Sequence, residues 1–287
     1  MTAFDRLAWE SDSRVRVGGV EFRVPAVAEI GAEGGGGGTF RLQKDRSIIE
    51  AYRRYWSEAR PGFAPRNLFE LGIWDGASVV FWFELWRPAR HVGVDVEDRR
   101  ADSFDAYVRE RERSGRIFIH WDVDQSDKAC LARLADAHFD EPLDLVIDDA
   151  SHLYGPTKAS LEALLPRLRP GGLYVIEDWA WGHWGKGPHR LHPAPGREAL
   201  TPLVAELLAV AGTSQGAIAA LDVRQHFVVL ERGAAGLDPV AFRLDAERSW
   251  SGAGPIARPR ARPGAHSIAW RVRRLPSELR RRRRARP

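Results

Sequence analysis

Apolar and polar residues alternate in blocks along the middle of the chain, and the blocks predict strands and helices in turn. Short apolar runs predict strands at residues 67–71, 91–96, 116–123, 143–149 and 173–179. Apolar residues at helical spacing predict helices at 46–60, 77–86, 99–115, 126–138, 157–172 and 200–211. Alternation of this kind is typical of a parallel sheet with helices on both faces, so we expect an α/β fold. Residues 217–223 and 226–233 predict a closing antiparallel pair.

Glycine and proline divide the chain into three predicted parts. The run Gly34 to Gly38 predicts a linker after an amino-terminal arm, residues 1–38, with a hairpin candidate at 15–24. Residues 39–250 are the main domain. Residues 251–287 are rich in Pro and Arg and are expected to be disordered in isolation.

Composition favours one principal domain in a cytoplasmic protein. The chain has 287 residues, 44% of them hydrophobic, with Cys130 as its single cysteine. An internal disulfide and a cysteine-based metal cluster are therefore excluded. No secretory signal or membrane-spanning run is visible. Arg outnumbers Lys 39 to 4, which we attribute to base composition rather than to function.

The net charge of +4 averages an acidic body and a basic tail. Residues 256–287 carry +11 and the rest of the chain −7. The tail is either a solvated terminus without a partner or a segment attracted to anionic lipid, nucleic acid or an acidic protein. Peripheral association with a membrane and a homo-oligomeric state both stay open.

A glycine loop follows the first strand of the main domain. Gly72 and Gly76 permit a sharp turn at a helix amino terminus, where backbone N–H groups meet a ligand. Glu70, before the first glycine, suits a ligand with an ammonium group. The nicotinamide-binding G-x-G-x-x-G pattern is not met, and a simple tight turn is the alternative.

The next two strand ends also carry polar groups. Asp95 can accept hydrogen bonds from ribose hydroxyls, and Asp124 with Gln125 can meet an adenine edge. Each of these positions has a helix cap as its alternative function, Asp124 above all. Taken in order, the three strand ends predict a nucleoside cofactor with a cationic end, S-adenosylmethionine. We assign Gly76, Ser78 and Asp148 to the same cofactor site.

Three carboxylates are expected to meet at the carboxyl edge of the sheet. Asp149 ends one strand, and Glu177 and Asp178 end the next. A cation would relieve their repulsion, and an all-oxygen set favours Mg²⁺ or Mn²⁺ over zinc. His152 is then placed to take a proton from a substrate hydroxyl. The alternatives are a helix cap at Asp149, arginine pairs at Glu177 and Asp178, and a structural histidine.

At this point the chain resembles a known family. The segments ELGIWDGAS, VDQSD, IDDASH and IEDW are similar to those of metal-dependent class I methyltransferases that O-methylate macrolide sugars, the mycinamicin and macrocin group. The similarity covers residues 45–232. It implies the Rossmann-like class I methyltransferase fold, Mg²⁺ at Asp149, Glu177 and Asp178, and His152 as the base. It also implies cofactor contacts at Glu70, Gly72, Asp95, Asp124 and Gln125.

Some features do not follow that family. Trp74 stands where many methyltransferases have a glycine, Ala150 replaces a common Gly, and residues 1–44 show no counterpart of the macrolide enzymes' longer arms. A Gly/Pro-rich loop holds the candidate acceptor wall, formed by Trp179, Trp181 and Trp184. The alternative is that these rings pack the loop onto the body. A second metal at His183, His189 and His192 is disfavoured by their spacing.

We therefore expect an O-methyltransferase that acts on a sugar or polyol hydroxyl of a glycosylated natural product or a glycan. One alternative is a catechol-type phenol O-methyltransferase. Another is a non-catalytic module that binds S-adenosylmethionine and associates with nucleic acid or membrane through the basic tail. The carboxylate set speaks against an iron oxygenase.

Overall fold

A computed structural model describes residues 2–31, 40–112, 115–183, 199–213 and 216–247. Their larger sheet has seven strands, namely β5 (Asn67–Leu71), β6 (Arg90–Val94), β7 (Ile117–His120), β8 (Leu143–Asp148), β9 (Leu168–Glu177), β10 (Ile218–Val223) and β11 (Phe227–Arg232). Their order across the sheet is β10-β11-β9-β8-β5-β6-β7. Strands β5 to β9 are parallel, whereas β11 is antiparallel to both β9 and β10. This confirms the predicted sheet and its closing pair.

Helices cover both faces of this sheet. They are α1 (Arg46–Arg54), α2 (Ala77–Trp86), α3 (Asp102–Glu112), α4 (Lys128–His138), α5 (Tyr154–Leu164) and α6 (Thr201–Thr213). Side chains of one strand alternate between two buried clusters. Ile147 packs in the cluster that includes α1, α2 and α3, and Val146 in the cluster that includes α4, α5 and α6. Among the described helices, none has the length and apolarity needed to span a bilayer.

The described part of the amino-terminal arm forms, together with Phe40–Arg41, a small sheet on the same core. It consists of β1 (Leu7–Ser11), β2 (Arg14–Val17), β3 (Val20–Arg23) and β4 (Phe40–Arg41). Strands β2 and β3 form the predicted hairpin. Phe22 of β3 is fully buried and meets Phe81 of α2 edge-on, with ring centroids 5.6 Å apart. The Gly34 to Gly38 linker lies outside the described residues, as do residues 251–287, and the predicted boundaries at 38 and 250 stay predictions.

Several predicted element boundaries were wrong. The predicted helix 157–172 lies at Tyr154–Leu164, and β9 begins at Leu168. Pro166 explains the early end, because it lacks an N–H group and its ring clashes with the preceding turn. Strands β6 and β7 end at Val94 and His120, earlier than predicted. The first helix changes to a π-helical turn over Tyr55–Ala59.

Strand register brings the candidate site together. Leu71 of β5 pairs with Asp148 of β8, and Asp148 pairs with Ile176 of β9. The next residue along each strand is therefore Gly72, Asp149 and Glu177 respectively. All three follow at the carboxyl edge of the parallel strands, where ligands bind in open α/β sheets.

Candidate active site

Asp149, His152 and Asp178 form a cluster at this edge. One ligand atom from each lies within 4.8 Å of the others, and His152 Nε2 is 3.6 Å from Asp149 Oδ1. Two members have left-handed backbones, with φ of 52° at His152 and 50° at Asp178. Residues other than glycine rarely adopt this backbone conformation, and such residues are concentrated at functional sites.

Burial governs the electrostatics of Asp178. Removal from water raises the pKa of its carboxyl group, and the nearby Asp149 raises it further, while His152 lowers it. The carboxylate is thus one that a bound cation would stabilise in its charged form.

Glu177 is buried beside this cluster and is bound by a lysine that the sequence analysis did not single out. Lys44 Nζ lies 2.5 Å from Asp149 Oδ2 and 2.5 Å from Glu177 Oε2. Burial and the charge of Asp149 raise the pKa of Glu177 to about 8, against the opposing effect of Lys44. Burial disfavours the charged lysine, but Asp149 and Glu177 outweigh it and raise the pKa of Lys44.

Three further buried polar atoms lie around the cluster. The Tyr52 hydroxyl and Glu177 Oε1 belong to side chains that interact with each other, and His226 Nδ1 has no hydrogen-bond partner among the described residues. Burial and the neighbouring Glu177 raise the pKa of Tyr52 well above its ordinary value. The His226 carbonyl accepts the Asp178 N–H at 2.8 Å. Tyr52 and His226 are additional candidate site residues that the sequence analysis missed, since neither stands beside a recognisable motif.

The residues fit a divalent cation. Asp149 and Asp178 offer oxygen ligands, and His152 offers an imidazole nitrogen in the same cluster. The buried Oε1 of Glu177 adds an acceptor next to them. Oxygen donors of this type suit Mg²⁺ or Mn²⁺. The predicted ligand Glu177 has its other oxygen on Lys44, so its direct contact with a metal stays a prediction.

The glycine loop of the predicted cofactor site adjoins this cluster. A Cβ on Gly72 would lie 2.3 Å from the Asp149 carbonyl oxygen, and φ of Gly72 is 81°. The Ser78 hydroxyl, in the first turn of α2, is buried without a partner among the described residues. Asp95 is partly buried at the end of β6 and accepts the N–H of Trp74 at 2.8 Å. These features fit a cradle for a small ligand.

Trp74, a residue of the glycine loop, packs against a neighbouring arginine. Its φ is 55°, and the Arg99 guanidinium lies 3.7 Å from the centroid of its ring. Arg99 is in turn paired with Glu97 at 2.7 Å. The tryptophan that departs from the family pattern is thus a fixed part of the loop.

Two predicted cofactor residues, Glu70 and Gly76, have structural partners. Glu70 is 1% exposed, and its Oε2 lies 2.9 Å from Nε2 of the buried His91. Gly76 adopts φ of 92° as the residue before α2, and a Cβ there would lie 2.4 Å from Phe104. Close packing therefore accounts for Gly76, and contact of either residue with a cofactor stays a prediction.

Asp148 and Gln125 belong to a buried hydrogen-bond network. Asp148 accepts from Gln125 Nε2 at 2.6 Å and from the hydroxyls of Ser160 and Tyr174, each at 2.8 Å. Burial raises the pKa of Asp148 to about 6. The amide oxygen of Gln125 accepts the Ser151 hydroxyl at 2.7 Å. The network links the third strand end to the IDDASH segment.

Asp124 is bound within its own turn. Its Oδ1 accepts the backbone N–H of Ser126 at 2.8 Å and the Ser126 hydroxyl at 2.7 Å. The helix cap expected as an alternative at this position is supplied by Asp127, which accepts from Cys130 N.

Trp181 is the aromatic side chain of the predicted acceptor wall that meets the candidate base. Its ring lies edge-on to the His152 ring, with centroids 5.0 Å apart. Trp179 donates its indole N–H to the Arg224 carbonyl at 2.7 Å, a packing contact. His183 Nε2 forms a hydrogen bond with the Thr201 hydroxyl. Trp184, His189 and His192 lie outside the described residues.

Comparison with known proteins gives the same assignment as the motifs. Residues 69–179 match a family described as "Methyltransferase domain". The demethylmacrocin O-methyltransferase of Streptomyces fradiae is 35% identical over 145 residues, 48% of this chain and 33% of that protein. The 8-demethyl-8-alpha-L-rhamnosyl tetracenomycin-C 2'-O-methyltransferase of Streptomyces olivaceus is 40% identical over 109 residues, 38% of this chain and 25% of that protein. The matches thus span a third or less of these relatives' length.

One similar solved structure is a methyltransferase of the mycinamycin pathway, MycE, in complex with Mg and SAH. It has a TM-score of 0.47 and 26% identity, and the match covers 74% of this chain and 55% of that one. The family match lies on the strands and loops that build the site, from β5 to the end of β9. Residues 69–179 are thus similar to a methyltransferase domain, and the sheet confirms the predicted Rossmann-like α/β fold.

Proposed function

We propose that the protein is a metal-dependent O-methyltransferase that uses S-adenosylmethionine and acts on a sugar hydroxyl of a glycosylated natural product. The observation that carries this proposal is the contact of Gly72 with Asp149, which puts the loop of the predicted methyl-donor site against the Asp149–His152–Asp178 cluster. The names of the two relatives, one of which includes a rhamnosyl group, support a sugar as acceptor.

His152 is the residue that would accept the hydroxyl proton. Its Nε2 lies 3.6 Å from Asp149 Oδ1, and the Trp181 ring packs edge-on against the imidazole. Asp149 and Asp178 would hold a divalent cation. When bound, that cation supplies Lewis acidity, which lowers the pKa of hydroxyl groups on it.

The methyl-donor site would be formed by Gly72, Ser78 and Asp95. Gly72 lets the loop pack against the Asp149 backbone, Ser78 offers a hydroxyl that has no partner among the described residues, and the Asp95 carboxylate can accept from ribose hydroxyls. S-adenosylmethionine supplies an electrophilic methyl group when bound. The residues' main contribution would be to hold acceptor and donor in attack geometry.

The test is an acceptor screen with methyl-labelled S-adenosylmethionine and Mg²⁺. We expect label in glycosylated polyketides or free deoxysugar glycosides, and loss of transfer in EDTA. Catechols are the comparison acceptors. Transfer to catechols alone would replace the sugar by a phenol as the acceptor class, and transfer that persists in EDTA would remove the metal from the reaction.

The basic tail is proposed to bind an anionic surface. Its twelve Arg against Glu278 within residues 256–287 support an electrostatic attraction. Binding to vesicles with anionic lipid that falls with added salt, and that is lost on deletion of 256–287, would support this. Equal binding by the full and the truncated chain would contradict it.

A further inference from the structure

Lys44 is almost completely enclosed in the candidate metal site. Its side chain is 4% exposed, and that of Glu177 is 3% exposed. The ammonium group bridges two carboxylates that end neighbouring strands, Asp149 after β8 and Glu177 at the end of β9. Buried ammonium groups are costly unless they are paired, and here the pairing is with the site itself.

The small amino-terminal sheet and α1 fix the position of this lysine. Two residues before it, Leu42 donates its N–H to the Arg23 carbonyl of β3 at 3.0 Å. One residue after it, Asp45 caps α1 by accepting from Ser47 N at 2.6 Å and Ile48 N at 3.2 Å. The backbone on both sides of Lys44 is therefore anchored, which holds its side chain toward the strand ends.

The bridge divides the site into two sides. Lys44 takes Oδ2 of Asp149, while Oδ1 of the same carboxylate faces His152. His152, which forms the ligand cluster with Asp149 and Asp178, lies 3.6 Å from that Oδ1 through its Nε2. Glu177 is held on the Lys44 side, since its Oε2 contacts Nζ. A divalent cation on the first side would share Asp149 with the ammonium group on the second.

We propose that Lys44 is a resident counter-ion of the metal site that competes with divalent cations for Asp149 and Glu177 and so limits the affinity of the site for them. This inference rests on the proposed function, because it takes the carboxylate cluster to be a metal site. Two like charges on one carboxylate repel, and the repulsion is strong where water is excluded. Removing the charge of Lys44 leaves Asp149 and Glu177 to the cation without a competing ammonium group, so the cation binds more tightly.

A purely structural lysine would behave differently. Its removal would destabilise the fold through uncompensated buried carboxylates, but the affinity of the folded protein for a cation would not rise. The affinity therefore separates the two roles, and thermal stability alone does not.

The variants for the test are Lys44→Gln, Lys44→Met and Lys44→Arg. Gln keeps a hydrogen-bond donor without the charge. If the Met variant does not fold, the Gln variant is used for the comparison. Arg keeps the charge. The matched control is Lys158→Gln, because Lys158 also bridges two carboxylates, Glu206 and Asp245, each at 2.9 Å, outside the cluster.

Mn²⁺ binding to each full-length protein is measured by isothermal titration calorimetry and by the electron paramagnetic resonance signal of free Mn²⁺. We expect Lys44→Gln and Lys44→Met to bind Mn²⁺ about tenfold more tightly than wild type or more. Lys44→Arg and Lys158→Gln should match wild type. Thermal unfolding in EDTA should show both neutral variants less stable than wild type, and Mn²⁺ should raise their unfolding temperature by more.

Unchanged or weaker Mn²⁺ binding by both neutral variants overturns the inference, as does a lack of Mn²⁺ binding by every variant. Methyl transfer is measured separately, so the two failures can be told apart. If wild type shows EDTA-sensitive methyl transfer but the variants bind Mn²⁺ as wild type does, only the counter-ion role is contradicted. If the variants bind Mn²⁺ more tightly but no acceptor is methylated, only the proposed reaction is contradicted.

Discussion

Gly72 and Asp149 are in contact at the carboxyl edge of the sheet: a Cβ on Gly72 would lie 2.3 Å from the carbonyl oxygen of Asp149. One residue opens the loop of the predicted methyl-donor site, and the other is a predicted metal ligand. A backbone hydrogen bond joins the same two strand ends: the Asp149 N–H donates to the Leu71 carbonyl at 2.9 Å. The two halves of the proposed reaction are therefore positioned by adjacent backbone.

Gly72→Ala should disrupt both halves at once. The new methyl group would collide with the Asp149 backbone, and φ of 81° is strained for alanine. We expect a loss of about 3 kcal/mol or more in the free energy of unfolding, from overpacking and strain together. Binding of S-adenosylmethionine should be lost with it. Urea unfolding and calorimetry measure the two effects.

Gly62→Ala is the matched control for this prediction. Gly62 has φ of 80°, but a Cβ there would meet nothing within 4 Å. Its cost should be the backbone strain alone, about 1 kcal/mol, with cofactor binding unchanged. Equal losses at the two positions would show that the contact with Asp149 has no effect of its own.

His152→Ala should abolish methyl transfer while the protein still binds S-adenosylmethionine. A positioned general base typically contributes about 10²- to 10⁴-fold in rate, so kcat should fall by that factor. Cofactor affinity should stay at the wild-type value, because the glycine loop does not use His152. Wild-type turnover in this variant would exclude His152 as the base. His138→Ala, at the end of α4 and remote from the site, is the control.

Much of the site could be predicted because parallel strands end together. Apolar runs marked the strands, and the residues directly after them, such as Gly72 and Asp149, were found at one edge. Glu70 shows the limit of this reasoning. The sequence does not reveal that the next strand places His91 beside it, so a buried pair and a ligand contact could not be told apart.

Lys44 could not be predicted from periodicity, because the residues that it binds are 105 and 133 positions away. A signal was nonetheless present in the composition. The chain has only 4 Lys beside 39 Arg. Each described lysine, namely Lys44, Lys128 and Lys158, binds at least one carboxylate at 2.9 Å or less. In a chain with so many arginines, a lysine indicates a position where a compact ammonium group binds carboxylates.

Trp181→Ala should reduce turnover less than His152→Ala does. The edge-on contact at 5.0 Å fixes the orientation of the imidazole, and aromatic contacts of this kind contribute about 0.5–1.5 kcal/mol. We therefore expect kcat to fall by up to about tenfold. Trp181→Phe should restore most of it. A change in the acceptor KM with constant kcat would assign Trp181 to the acceptor wall instead of to the base.

A histidine pair remote from the site should make the stability of the fold depend on pH. His120 Nε2 of β7 lies 2.8 Å from His138 Nε2 of α4, and burial lowers the pKa of both rings. Their folded pKa values lie below those of the unfolded chain. The stabilisation is therefore complete above the unfolded pKa of about 6.5 and is lost as the pH falls through the folded values.

Replacing both histidines by glutamine should flatten this dependence. Protonation of both rings would set two N–H groups and two positive charges against each other, whereas a glutamine pair keeps a donor and an acceptor at every pH. We expect the wild-type free energy of unfolding to fall between pH 7 and pH 5 more steeply than that of the double variant. Urea unfolding at both pH values measures it, with His183→Gln as the control. Parallel slopes for wild type and the double variant would show that other groups set the acid sensitivity.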